Sequence, residues 1–237
     1  MIQQLFDRDL DQLYPSSDGK PMADNTLQYR WIVLIKENLE IILAAFPDVF
    51  IAADLLWYPI QVSQPPAPSQ APDIMVIFGR PKGERRSYRQ WQEANIAPQV
   101  VFEILSESNR TAIGKREMER KFKFYEQYGV EEYYIYDPDE LSLKGWLRQG
   151  GQLVAIEQMS GWMSPRLQIR FAWQAGQELM LYRPDGQRFL SSVELEAQLL
   201  RERQRAGEAT AALQEERRQR QALLERLREM GINPDEF

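Results

Sequence analysis

The feature that most restricts the fold of this chain is a series of short apolar segments flanked by two amphipathic helices. Apolar side chains recur at helical spacing before Pro47 and again before Gly129, and apolar runs of strand length lie between and after them. The predicted elements are a helix at 24–46, strands at 49–60, 72–78 and 99–106, a helix at 113–128 and a strand at 131–137. This order is typical of an α/β fold in which helices flank a mixed sheet.

The remainder of the chain divides into a β-rich extension and a helical end. Shorter candidate strands separated by Gly and Pro turns are predicted around 143–147, 152–157, 167–173 and 178–183. They either complete the sheet or cover one of its faces. From Leu195 onward Glu, Arg, Gln, Ala and Leu dominate the sequence. We therefore expect one globular domain over residues 1–190 and a helical or coiled-coil segment over 191–237.

A seven-residue repeat runs through this last segment. Its core positions are Leu199, Ala206, Leu213, Arg220 and Leu227 on one line, and Leu195, Glu202, Ala209, Glu216, Leu223 and Met230 on the other. Apolar residues at such positions are typical of a coiled coil, but two of these positions are Glu and one is Arg. A homodimer through a weak coiled coil is the expected form. A single solvated helix and a partner-dependent helix stay open as alternatives.

The chain contains neither cysteine nor histidine. Their absence excludes thiol nucleophiles, Ser-His-Asp catalysis, zinc fingers and every metal site that uses histidine ligands. Any catalysis therefore depends on Asp, Glu, Lys, Arg, Ser, Thr or Tyr, alone or with an oxygen-binding cation such as Mg²⁺.

The sequence also bears on location and on partners. Residues 1–15 lack the basic start and apolar run of a signal peptide. The longest apolar stretch, 31–46, contains Lys36 and Glu40 and is too polar to span a bilayer. We expect a cytoplasmic protein without membrane contact. Its net charge of -6 means that any contact with nucleic acid must depend on local basic patches.

Two acids interrupt the apolar strands in the middle of the chain. Asp73 opens the predicted strand at 72–78, and Glu103 lies within the apolar strand at 99–106. An acid in the interior of such a strand is costly unless it is paired or bound to a cation. If the two strands are neighbours, about 4.8 Å apart, both carboxylates reach one divalent ion, with the backbone carbonyl of Ile104 as a further ligand. The alternative for Asp73 is that it merely begins a strand after a proline.

A lysine in the second helix is the third candidate. Around a helical wheel, Lys121 falls within the apolar arc formed by residues such as Phe122 and Tyr125. There it can position an attacking water or stabilise negative charge that develops on phosphate. The structural alternative is that Lys121 extends along the helix surface and pairs with Glu117.

Three motifs carry a resemblance to a known family, namely APDIMVIFG, VVFEILSESNR and KFKFYEQYGVEEYYIYDPD. In this order and spacing they resemble the Uma-two family of restriction-endonuclease-like proteins, within the PD-(D/E)XK nuclease superfamily. The resemblance covers most of residues 14–190. It implies a restriction-endonuclease-like mixed sheet with its core at about 20–140, and a nuclease that uses Mg²⁺ or Mn²⁺.

The resemblance also implies site residues. It places the first acid at Asp73 and the second at Glu103. The lysine usually found two residues after the second acid is absent, because Leu105 stands there, and the family supplies it from the next helix at Lys121. Many relatives carry an acid and a histidine near the first helix, where this chain has Asp24 and Gln28. This departure weakens the case for proton transfer at that place.

Other polar residues have two interpretations. A basic loop precedes the third strand and comprises Arg80, Lys82, Arg85, Arg86 and Arg89. These residues are either solvated charges or a clamp for the phosphate backbone of DNA. Ser106 and Asn109 either build local structure, by capping the next helix or orienting Glu103, or contact substrate, and we favour local structure for both.

The leading functional hypothesis is a metal-dependent endonuclease that hydrolyses phosphodiester bonds in DNA. Asp73, Glu103 and Lys121 would be its catalytic residues, with Asp73, Glu103 and the Ile104 carbonyl at the metal. One alternative is a catalytically inactive binding or adaptor module that keeps the nuclease fold and works through its C-terminal helix. Another is a small-molecule phosphoesterase that uses the same metal site.

Overall fold

The computed structural model describes residues 12–230. The chain divides into two compact units, of which the first ends at Phe189 and the second begins at Leu190. Within the described range, none of the helices is both long and apolar enough to cross a membrane.

The first long helix, α1, spans Thr26–Ile42. Asn25 caps its N-terminus, because the Asn25 side chain accepts a hydrogen bond from the backbone N–H of Gln28 at 2.8 Å. One face of α1 buries Trp31 and Leu39. The helix predicted at 24–46 is confirmed, with both ends slightly inside the predicted range.

Ten strands follow the first helix in the described part of the chain. They are β1 (Val49–Ala52), β2 (Trp57–Tyr58), β3 (Ile74–Phe78), β4 (Tyr88–Arg89), β5 (Val100–Ile104), β6 (Glu132–Asp137), β7 (Ser142–Gln149), β8 (Gln152–Ala155), β9 (Arg170–Ala172) and β10 (Met180–Tyr182). Six of them form the main sheet in the order β1-β3-β5-β6-β7-β8. Strands β5 and β6 are parallel and the other neighbours are antiparallel, so the sheet is mixed, as predicted.

The prediction of one continuous strand over 49–60 is wrong. The extended backbone stops after β1, and Asp54 adopts a φ of 49°, a left-handed conformation that ends a strand. The chain resumes as β2, which leaves the main sheet and pairs with β4. Strand β4 lies in the basic loop before the third predicted strand, where the sequence analysis predicted no strand.

The second long helix, α2, spans Ala112–Tyr128. The Thr111 hydroxyl accepts a hydrogen bond from Gly114 N–H at its start, and Gly129 ends it in the left-handed conformation with φ 97°. Gly114 is required by close packing, since a Cβ there would lie 2.3 Å from the Ser108 carbonyl oxygen. The predicted helix at 113–128 and its stop at Gly129 are confirmed.

Alternate residues of the central strands face two separate cores. One core contains Val76 and Phe102 and packs against Ile35 of α1. The other contains Met75 and Val101 and packs against residues of α2. The sheet therefore lies between helices on its two faces, which is the α/β arrangement expected from the sequence.

The β-rich extension serves both purposes considered for it. Strands β7 and β8 extend the main sheet beyond β6. Strands β9 and β10 pair separately, and their residues Phe171 and Leu181 join the core on the α1 side.

A long helix, α3, occupies Ser192–Glu229 and confirms the helix predicted for this part of the chain. Ser191 and Glu194 form a capping box, in which each side chain bonds the backbone of the other. No side chain of α3 is buried within the described residues.

Candidate active site

The register of β3 and β5 brings the two candidate acids to one place. Ile74 pairs with Phe102 in this antiparallel ladder, so Asp73, which precedes β3, stands next to Glu103. By the alternation of strand residues, both acids lie on the same sheet face as Met75, which is the face covered by α2. The expectation that these strands are neighbours is confirmed.

Glu103 is nearly completely buried, with 2% of its surface exposed. The Lys121 ammonium donates to Glu103 Oε2 at 2.6 Å, and the Tyr125 hydroxyl donates to Glu103 Oε1 at 2.6 Å. Lys121 and Tyr125 are one helical turn apart on α2 and therefore point to the same spot. The Tyr125 ring stacks parallel to Trp57, with centroids 6.3 Å apart. These contacts fix the orientation of the carboxylate.

Asp73 is buried, and among the described residues one backbone N–H donates to it. Its Oδ2 accepts from Ile104 N–H at 2.6 Å. Burial, and after it the charge of Glu103, raise the pKa of Asp73 to about 8, although Lys121 and the Ile104 hydrogen bond oppose this shift. A cation placed beside Asp73 would favour its ionised form and reverse the shift.

Lys121 keeps its charge although its side chain is only 14% exposed. Burial lowers the pKa of the ammonium, but the negative charges of Glu103 and Asp73 outweigh burial and raise that pKa above its usual value. Glu117 pairs with Lys20 at 2.6 Å, and its charge raises the pKa of Lys121 less than the charges of Glu103 and Asp73 do. The lysine therefore belongs to the acid pair.

The acid pair and the lysine open onto a pocket of about 330 Å³. Its lining includes six acids and two lysines, which are Asp18, Asp24, Asp54, Asp73, Glu103, Glu117, Lys20 and Lys121. Such an excess of negative charge attracts cations and repels a bare phosphate. A phosphate group therefore requires additional positive charge before it enters this pocket.

Helix α1 supplies the opposite wall of the pocket through Gln28. The side-chain amide of Gln28 donates to the Ile104 carbonyl oxygen at 2.8 Å, and its Oε1 accepts from Asp24 N–H at 2.8 Å. These bonds tie the first helix to the end of β5. Gln28 thus orients the carbonyl that the sequence analysis named as a metal ligand, and a carbonyl oxygen has a second lone pair for a further partner.

The polar residues after β5 build local structure, as the sequence analysis favoured. Ser106 and Asn109 form the capping box of a 3₁₀ helix at Glu107–Arg110. The Ser106 and Ser108 hydroxyls donate to Asp24, and these hydrogen bonds lower the pKa of Asp24.

The sequence analysis missed Tyr125, which contacts Glu103, and Asp54, which lines the pocket. Tyr125 was assigned only to the apolar arc of its helix, although it lies four positions after Lys121 and reaches the same carboxylate. Asp54 lay inside the segment predicted as one strand, so its place on the pocket followed from a strand break that the sequence did not reveal. Only the spacing of Tyr125 gave a usable signal.

The basic loop is engaged in ion pairs rather than assembled at the pocket. Arg80 and Arg85 both donate to Glu93, each at 2.7 Å. Lys82 pairs with Glu40 at 3.3 Å, and Arg89 lies over the Tyr14 ring. Arg86 also makes an interaction. None of the five lines the pocket that contains Glu103.

The donor set suits a hard cation that keeps part of its water shell. Within residues 12–230, no group of three or more acidic side chains is arranged to hold a metal by itself. Mg²⁺ commonly takes only one or two carboxylates and fills its other positions with water and substrate phosphate. Asp73 and Glu103 provide these two carboxylates, and the Ile104 carbonyl adds a neutral oxygen. The residues present therefore fit such an ion.

A family comparison decides the assignment. The model of the Uma2 family, described as "Putative restriction endonuclease", matches residues 34–214. The chain belongs to the Uma2 family. The matched range contains all three candidate catalytic residues, Asp73, Glu103 and Lys121.

A comparison with solved structures gives a further similarity. A crystal structure from Anabaena variabilis, described as a putative nuclease belonging to DUF820, is similar with a TM-score of 0.41 and 15% sequence identity. The similarity covers 63% of this chain and 79% of that chain. No curated protein sequence matches this chain.

Proposed function

We propose that this Uma2 protein is a metal-dependent endonuclease that hydrolyses phosphodiester bonds in DNA, with Mg²⁺ or Mn²⁺ as its cofactor. The observation that carries the proposal is the buried Glu103 carboxylate, which Lys121 contacts at 2.6 Å beside a second buried acid, Asp73, on the wall of a pocket. Structural ion pairs are common. The Glu103–Lys121 pair differs because it lies beside Asp73, whose pKa is raised, and because it lines a pocket open to solvent.

Each residue has a separate role in this proposal. Asp73 and Glu103 would hold the metal ion, with the Ile104 carbonyl beside them. When bound, that ion would lower the pKa of a water molecule and neutralise phosphate charge. Lys121 would stabilise the negative charge that grows on phosphate oxygens during hydrolysis.

Three supporting contacts keep the catalytic groups in place. The Tyr125 hydroxyl fixes one oxygen of Glu103, and the Ile104 N–H fixes one oxygen of Asp73. Gln28 holds the end of β5 against α1. Groups that are held before substrate arrives need no costly rearrangement during the reaction.

Plasmid nicking with matched variants tests the proposal. We expect the parent protein to cut supercoiled DNA with Mg²⁺ or Mn²⁺ and to stop when EDTA is added. Glu103→Gln should abolish cutting, whereas Glu132→Gln, which alters another buried glutamate outside the pocket with Glu103, should not. Intact DNA with both ions over a range of salt would contradict the proposal. Equal cutting by Glu103→Gln would contradict it too, since it would point to a contaminating nuclease.

One observation favours the second candidate, a binding or adaptor module that works through α3. Both oxygens of Glu103 are already engaged by Lys121 and Tyr125, so the ion pair by itself satisfies the buried charge. This candidate predicts that Glu103→Gln and Asp73→Asn leave the cellular function unchanged. A loss of that function in either variant, with the fold retained, would support the nuclease.

The remaining expectations concern assembly and location. We propose that the chain forms a homodimer through α3, because its core positions repeat every seven residues. Light scattering of the full chain at micromolar concentration tests this. The cytoplasmic location stays a prediction from the sequence.

A further inference from the structure

Helix α3 presents apolar side chains to solvent along one line. Leu199, Leu213 and Leu223 are 39%, 49% and 61% exposed, respectively. All three are core positions of the seven-residue repeat, so they form one seam rather than scattered surface residues. Exposed apolar side chains that recur at core positions along one helix face are typical of a surface that binds another helix.

The charged residues of the same seam constrain the partner. In a parallel pair of identical helices, each core residue faces its own copy. Glu202, Glu216 and Arg220 would then each meet a like charge inside the interface. Like charges in contact are destabilising, and burial of the contact increases the cost.

An antiparallel arrangement removes this conflict. We propose that α3 binds a second copy of itself in antiparallel orientation, with Glu202 of each chain opposite Arg220 of the other. In that register the apolar core positions also match. The pairs are Leu195 with Leu227, Leu199 with Leu223, and Ala209 with Leu213.

The third charged core residue, Glu216, is also tolerated in this register. Glu216 lies opposite Ala206, whose small side chain leaves space for the carboxylate to bend toward water. The net charge of α3 does not oppose association either. Ser192–Glu229 contains eight Glu and eight Arg, so two copies of the helix do not repel each other through net charge. The seam therefore fits a second copy of this chain better than it fits a strongly charged partner.

Disulfide trapping tests the orientation directly because the natural chain contains no cysteine. Full-length Leu199→Cys and Leu223→Cys variants are prepared, one with a size tag, and oxidised separately and as a 1:1 mixture. We expect the mixture to form mainly the mixed disulfide and each variant alone to cross-link poorly. Gln204→Cys, on the opposite side of the helix, is the control and should not cross-link.

Two results would overturn the antiparallel seam. Efficient cross-linking of each variant with itself would show a parallel pair. Absence of the mixed disulfide at concentrations that permit association would show that this seam does not pair in the proposed register. Neither readout depends on DNA cleavage, so the outcome is independent of the nuclease proposal.

Charge reversal provides a second, non-covalent test. Glu202→Arg should raise the dimer dissociation constant by about tenfold, because it places Arg opposite Arg220 in both halves of the interface. The double variant Glu202→Arg/Arg220→Glu should return the constant to within about threefold of the parent. An unchanged constant for Glu202→Arg, or no recovery in the double variant, would contradict the proposed register.

Discussion

Two buried glutamates on neighbouring parallel strands, Glu103 on β5 and Glu132 on β6, have opposite surroundings. They are 2% and 1% exposed, respectively. Glu103 contacts an ammonium and a phenol and lies on the wall of the acidic pocket. Glu132 accepts hydrogen bonds from the hydroxyls of Tyr134 and Ser164 and from the N–H of Arg166.

The difference shows that burial alone does not identify a functional acid. Hydroxyl and amide donors satisfy Glu132 and join β6 to the segment that contains Ser164 and Arg166. Glu103 lies beside a cation, Lys121, and a second acid, Asp73. An added metal ion would therefore change the electrostatic interactions among these three groups. We therefore expect changes at the Glu103 site to affect cleavage and metal binding, and changes at the Glu132 site to affect stability alone.

The largest expected effect is that of Lys121→Met on cleavage. Loss of the only cation that contacts Glu103 in the described structure should lower the cleavage rate by about 100- to 1,000-fold, as for other groups that stabilise transition-state charge. Lys123→Met is the matched control, because Lys123 is exposed on the same helix. Rates are measured below the melting temperature of each variant. Cleavage by Lys121→Met above one tenth of the parent rate would assign the lysine a structural role.

The next effect is stabilisation by metal. Mg²⁺ at ten times its dissociation constant should stabilise the parent by about 1.4 kcal/mol. For a chain of this size, that corresponds to a rise in Tm of roughly 3–6 °C. Asp73→Asn should lose the rise, whereas Glu132→Gln should keep it. Equal Tm shifts in Asp73→Asn and the parent, measured by calorimetry, would place the ion elsewhere.

A matched pair of tyrosines gives a smaller effect and a sharper comparison. Tyr125→Phe removes a donor to Glu103, and Tyr134→Phe removes one from Glu132. Each should lower the free energy of unfolding by about 1–3 kcal/mol, because a buried carboxylate loses a hydrogen bond. Only Tyr125→Phe should also slow cleavage, by roughly tenfold, since it loosens a metal ligand. If Tyr134→Phe cleaved DNA more slowly than the parent while keeping normal stability, the distinction between the two sites would be contradicted.

The smallest effect concerns the pH dependence of stability. Burial raises the pKa of Glu132, against the opposing hydrogen bonds from Ser164, Tyr134 and Arg166. A carboxyl with a raised pKa in the folded state contributes stability below its unfolded pKa, and that contribution is lost as pH rises through the folded pKa. The parent should therefore lose stability relative to Glu132→Gln as pH increases from 4 to 8. Denaturant titrations at several pH values measure this, and a constant difference would contradict it.

The sequence predicted more of the fold than of the site. The two helices α1 and α2 and the central strands were predictable, because their apolar periodicity reports directly on burial. Lys121 was predictable for a related reason, since a charge inside an apolar arc is conspicuous. The strand break at Asp54 was not predictable, because apolar residues on both sides of it, such as Ala52 and Leu56, are buried as in a continuous strand.

The contrast between the surroundings of Glu103 and Glu132 also could not be predicted from local sequence pattern. Glu103 has apolar neighbours on both sides in the sequence, whereas Glu132 follows Glu131 at the start of its strand, so the sequence did not indicate that Glu132 is equally buried. Tyr134 lies two positions from Glu132, but Lys121 lies 18 positions from Glu103, and Ser164 and Arg166 lie 32 and 34 positions from Glu132. Local sequence pattern therefore indicated that Glu103 is unusual, but it did not predict which partners surround either acid or separate a structural acid from a candidate ligand.

By itself, the sequence determined the class of chemistry and the type of fold. A chain without cysteine and histidine has only oxygen ligands and the basic side chains to work with, and its hydrophobic periodicity requires helices against a sheet. Tertiary structure decided which charges meet. Strand register placed Asp73 beside Glu103, and the packing of α2 directed Lys121 and Tyr125 at the same carboxylate. Electrostatic energy depends on distance and on exclusion of water, and both are set by contacts between segments far apart in the chain.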